Sequence, residues 1–78
     1  MKKQKELTKL LAMKRLKPPE AERMVRIDGW VEDPNDTGGT SHKQFVHPLK
    51  KGKVTIPFHA EEINEKTTRK IKLQAGLL

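Results

Sequence analysis

The chain has no cysteine, which excludes a disulfide framework, a thiol nucleophile and any zinc site built on thiolates. Aromatic residues are scarce, with one Trp and two Phe, so only a modest core can form. No apolar run approaches the roughly 18 residues of a membrane span. The lysine-rich start also lacks the apolar stretch of a secretory signal. A soluble, cytoplasmic protein without membrane contact is the expectation. At 78 residues one small domain is the ceiling, which leaves no room for a two-domain enzyme. A core of this size gains from a partner or an oligomer.

Charge is abundant and unevenly placed. Seventeen basic against ten acidic side chains give a net charge of +7, a balance that suits phosphate polymers or acidic protein surfaces. Residues 1–17 hold seven basic groups and one acid, and residues 18–36 hold two basic and six acidic. From Thr37 to Ala60 there are four lysines, all three histidines and no acid. No internal repeat is visible, so a solenoid is excluded.

Leu7, Leu10, Leu11 and Met13 lie at near-helical spacing among lysines, and Pro18-Pro19 stops the pattern, so residues 1–17 read as a basic amphipathic extension. A second helix is predicted from Pro19, with Glu20 and Glu22 in its first turn. Ala21, Met24, Val25 and Ile27 form its buried stripe, and Gly29 is placed to end it in a left-handed turn. Trp30-Val31-Glu32 starts an extended segment, Pro34 to Gly39 make a loop, and Ser41 to His47 alternate as a strand. Lys50-Lys51-Gly52-Lys53 reads as the turn of a hairpin leading into Val54-Thr55-Ile56-Pro57-Phe58. Pro57 marks that last strand as an edge or a strand end. Asn64 is set to cap a final helix with Ile71, Ala75 and Leu78 on its buried stripe. The fold class is therefore α+β: a three-stranded antiparallel sheet with helices on one face, formed by residues 18–78.

The other face of such a sheet is free to bind. Phe45 should face the helices, so His42, an odd number of residues away, should face outward. Gly38-Gly39-Thr40-Ser41 gives it a small, acid-free approach. Histidine moves protons near neutral pH, and His42 is a candidate acid or base acting on an RNA 2′ hydroxyl. The plainer alternative is a loop histidine that caps a backbone group. For a second proton-transfer group the neighbours are His47, His59 and Lys43, with turn packing expected for His47 and capping for His59. His42, His47 and His59 have no carboxylate at a recognised metal spacing, so no metal site is expected. Lys43, Lys50, Lys51 and Lys53, with Arg69 on the last helix, are candidate phosphate contacts. The same lysines would also shield an edge strand from pairing. Trp30 and Phe45 are expected in the core rather than stacked on bases.

The order of short motifs adds to this reading. Asp28-Gly29-Trp30, Ser41-His42 with Phe45 and His47-Pro48, Gly52 to His59, and Thr67, Arg69, Ile71 and Gln74-Ala75-Gly76-Leu77 together resemble the HicA family of bacterial toxins. The resemblance runs from about Glu20 to Leu77. Thr40 departs from it, standing where the family pattern carries the glycine before Ser-His. The resemblance implies a fold like a double-stranded-RNA-binding domain, in α-β-β-β-α order, preceded here by a short extra helix. It also implies cleavage of messenger RNA without metal or other cofactor, with His42 matching the catalytic histidine, and inhibition by a HicB-like antitoxin in a hetero-oligomer. A non-catalytic RNA-binding module of the same fold is the alternative, and a domain that binds only an acidic protein is a third.

Overall fold

The computed structural model describes residues 2–36 and 41–78. The elements run in the order α1 (Lys2–Ala12), α2 (Pro18–Ile27), β1 (Val31–Glu32), β2 (His42–Val46), β3 (Val54–Pro57) and α3 (Glu65–Gln74). The strands form one antiparallel sheet in the order β1-β2-β3. This is the small α+β arrangement expected, with the added N-terminal helix in front. The Gly38-Gly39-Thr40 approach to His42, including the departure at Thr40, lies outside the described residues.

Helix α2 begins one residue earlier than predicted. Pro18 and Pro19 both fit its first turn, where missing N–H groups leave nothing unsatisfied. Glu20 Oε1 reaches back to accept the Lys17 N–H at 2.8 Å, one half of a capping box. At its other end the Trp30 N–H donates to the Val25 carbonyl at 3.0 Å and the Gly29 N–H to that of Arg26 at 3.0 Å. These two bonds define a Schellman turn, which requires a left-handed residue. Gly29 supplies it at φ +102°.

Helix α3 repeats the design. Asn64 Oδ1 accepts the Thr67 N–H at 2.8 Å, and the helix ends on the same pair of bonds, Leu77 to Lys72 and Gly76 to Leu73. Leu78, expected on the buried stripe, is instead 60% exposed. The Gly76 turn at φ +70° carries the chain off the helical path, so the spacing that puts Ile71 and Ala75 inward ends before Leu78.

Alternation holds in the hairpin. Phe45 pairs with Val54 and Lys43 with Ile56, and Phe45, Val54 and Ile56 are fully buried. They meet Ala21, Met24 and Val25 of α2, and Trp30, Ile63, Ile71 and Ala75 join the same cluster with Leu10 and Leu16. β3 is an edge strand in hydrogen bonding, as Pro57 implied. Its outer flank is covered by α3, where Gln74 Oε1 accepts the Thr55 N–H at 3.4 Å.

The N-terminal helix packs on the domain rather than standing in solvent. Leu10 is buried and Leu7, Leu11 and Met13 lean on the core. Arg23 makes a two-pronged bond to Glu6, at 2.9 and 2.8 Å. The Lys72 ammonium donates to the Leu11 and Met13 carbonyls at 2.9 and 2.6 Å, satisfying acceptors left over where α1 ends. Leu16 is fully buried, and its carbonyl accepts the Ile63 N–H at 2.8 Å.

Candidate functional site

His42 starts β2 and pairs with Pro57 across the hairpin. Its side chain is exposed, on the face opposite Phe45, as the alternation predicts. Two shallow grooves meet at it. One, of about 200 Å³, runs between β3 and α3 and is lined by His42, Thr55, Pro57, Thr67, Lys70 and Gln74. The other, of about 250 Å³, continues toward the start of α3 past His59, Glu62 and Asn64. The face expected to be open is thus walled on one side by a helix. An extended polymer laid along that wall would pass over His42.

Thr67, Lys70 and Gln74 follow each other at intervals of three and four residues, which puts them on one helical face. Lys70 is the cation that α3 brings to His42. The same i, i+3, i+7 spacing in the sequence is the signal that could have found it. Arg69 lies on another face of α3, in a groove with Leu11, Met13, Lys72 and Leu78.

The remaining lysines are spread out. Lys43 shares the Phe45 side of the sheet; its ammonium sits 4.7 Å from the Phe58 ring centroid, 3.5 Å from Glu22 and 3.8 Å from Glu32. Lys50 donates to Asp28 Oδ2 at 2.6 Å and to the Ala75 carbonyl at 3.0 Å. It therefore ties together the C-terminal ends of α2 and α3, where a cation complements both helix dipoles. Lys53 pairs with the buried carboxylate of Asp33 at 2.8 Å. Lys51 is exposed in the turn and has no ion pair among the described residues. Lys50, Lys51 and Lys53 lie beyond the Val54 end of the hairpin. Since His42 pairs three residues further along β3, they stand about 10 Å or more away from it.

The three histidines divide clearly. The His47 ring packs edge-on against Trp30 at 5.2 Å, and its Nδ1 accepts N–H bonds from Leu49 at 3.0 Å and Lys50 at 3.2 Å. Nδ1 must then be unprotonated, so Nε2 carries the hydrogen and donates it to the Asp28 carbonyl at 2.8 Å. His47 is fully used in the turn, as expected. His59 differs from expectation: it is exposed, its ring lies 5.1 Å from that of His42, and Ser41 Oγ approaches its Nδ1 at 3.5 Å.

Asp33 is held below the usual carboxylate range, first by its bond with Lys53 and then by the Asn35 N–H. That carboxylate anchors the start of the loop leading to β2: Asp33 Oδ1 accepts from Asn35 at 2.9 Å, and Asp36 Oδ2 takes the Gln44 N–H at 3.1 Å. Burial pushes Lys72 down from its ordinary value, with Arg69 adding repulsion.

A small α+β domain with a histidine at the junction of two sheet-and-helix grooves defines a class of compact binding or catalytic modules. The family follows from the sequence match. Residues 19–77 fit the family described as HicA toxin of bacterial toxin-antitoxin, and the chain belongs to that family. No curated protein matches the chain. Membership makes the protein a toxin of a toxin-antitoxin pair and implies an antitoxin as partner. No helix among the described residues is long and apolar enough to cross a membrane.

Proposed function

We propose that this toxin is an endoribonuclease that cleaves messenger RNA without a metal ion or other cofactor, with His42 in proton transfer. The observation that carries the reading is the placement of His42: exposed, at the meeting point of two grooves, with Lys70 along one wall. An RNA 2′ hydroxyl can attack the adjacent phosphate when a base takes its proton and cations steady the charge that builds on the phosphate oxygens. An imidazole and a nearby ammonium are sufficient in kind for that chemistry.

The cationic contacts have different weights in this reading. Lys70 serves the reacting phosphate. Lys51 extends the contact along the strand, and Lys43, Lys53 and Arg69 add at its margins while keeping their present partners or faces. Lys50 acts mainly through the fold, because its ammonium is held by Asp28 and Ala75. A HicB-like antitoxin would block the enzyme by covering the His42 face in a hetero-oligomer, so that catalysis and inhibition share one surface. The protein acts in the cytoplasm, where its substrate is.

Purified wild type and His42→Ala, each incubated in EDTA with a labelled RNA and the matching DNA, test the reading. Internal cuts in RNA by wild type alone are expected, with DNA intact because it lacks the 2′ hydroxyl. The loss on removing the histidine should be on the order of 10²- to 10⁴-fold. RNA that is bound and left whole by wild type would replace the nuclease with a binding module.

A further inference from the structure

Resting on the nuclease reading, we infer that His59 is the second catalytic residue: the acid that protonates the leaving 5′ oxygen while His42 acts as base. Three observations lead to it. The His42 and His59 rings are 5.1 Å apart, tilted by 53°, the first at the start of β2 and the second two residues past the end of β3. Both are exposed and line the same groove. The third histidine is held in a turn by three hydrogen bonds, away from this groove.

Single-base catalysis leaves half of the reaction without a proton source. When the 2′ oxygen attacks phosphorus, the new O–P bond forms on one side and the bond to the 5′ oxygen breaks on the other. The departing alkoxide needs a proton in the same transition state. Two imidazoles on one groove can serve the two ends of one phosphodiester. His42 takes the 2′ hydroxyl proton and His59 gives one to the 5′ oxygen. The products are a 2′,3′-cyclic phosphate and a 5′ hydroxyl. His42 ends charged and His59 neutral, and exchange with water restores both, so no other reactant is needed.

Local chemistry favours His59 as the donor. Ser41 Oγ lies 3.5 Å from its Nδ1 and offers an acceptor that leaves Nε2–H available to the substrate. Lys70, on the other side of His42, is placed for the non-bridging oxygens. His59 belongs to no part of the core, so its replacement should leave the fold intact.

A substrate whose leaving 5′ oxygen is replaced by sulfur separates the roles, because a thiolate departs without a proton. Wild type, His42→Ala and His59→Ala are compared on ordinary RNA and on the same strand with a bridging 5′ sulfur at a mapped cut site. Thermal melting reports folding, and His59→Gln stands in if the alanine variant melts early. The expected result is that His59→Ala loses on the order of 10²- to 10⁴-fold on ordinary RNA and recovers to within about tenfold of wild type on the sulfur strand. His42→Ala should stay slow on both. Equal slowness of His59→Ala on both strands, or wild-type cutting of ordinary RNA by it, would overturn the acid role and leave the nuclease standing. If wild type cuts neither strand, the nuclease reading itself fails and takes the pair with it.

Discussion

Gly29 carries two constraints at once. Its φ of +102° is a conformation that other residues adopt only with strain, and a Cβ there would come within 2.9 Å of His47 Nε2. The ring cannot easily retreat, because it is fixed between Trp30, Asp28 and two backbone N–H groups. Gly29→Ala should therefore destabilise the protein by more than the roughly 1 kcal/mol typical of replacing a left-handed glycine; chemical denaturation of the two proteins measures the difference. The sequence motif Asp28-Gly29-Trp30 and the distant His47-Pro48 thus describe one joint, in which each residue is what it is because of the others. Asp33 gives a second prediction. Its carboxyl is lowered in the fold by Lys53 and Asn35, so the stability it contributes is present above the ordinary carboxylate value of about 3.9 and is lost as pH falls through the lower folded value. Wild type should be more stable than Asp33→Asn at neutral pH, with the gap closing only in strong acid. Melting curves across pH 2 to 7 check the direction.

Elements were legible where local chemistry decides them. The two glycine-ended helices, the Asn64 cap, the hairpin around Gly52 and the inward Trp30 and Phe45 all follow from residues close in sequence or from simple alternation. Leu78 faces outward because Gly76, two residues before it, ends the helical spacing. The site was half legible. His42 faces outward by alternation alone, whereas its neighbour His59, the wall formed by α3 and the capture of Lys50 by two helix ends depend on how distant elements pack. Lys70 is marked in the sequence by helical phase with Thr67 and Gln74, not by the charge density that marks the basic hairpin. The N-terminal helix shows the same limit: an amphipathic segment of this length is marginal alone, and what holds it is tertiary. Lys72→Met should keep the buried alkyl chain and strip the donor from the Leu11 and Met13 carbonyls. A loss of about 1–3 kcal/mol is expected, with faster amide exchange concentrated in residues 2–12. Uniform exchange with unchanged stability would mean that the ammonium contributes nothing to docking α1.

At the scale of the whole molecule, a net charge of +7 would, under the proposed function, draw the protein to RNA without selecting a site, while the grooves at His42 would select geometry. Arg23, Arg26, Lys43, Lys50 and Lys53 are paired internally with Glu6, Glu22, Glu32, Asp28 and Asp33, whereas Lys70 lines the groove at His42. An antitoxin that covers this groove would need to meet only that limited surface. The central claim is that a ribose 2′ hydroxyl supplies the nucleophile at this surface. Its most direct test is an RNA whose cut sites have been mapped, resynthesised with a single 2′-O-methyl group on the ribose preceding one of them. The account predicts that cutting disappears at the methylated position and continues at the others; a cut that persists at the methylated ribose would contradict it.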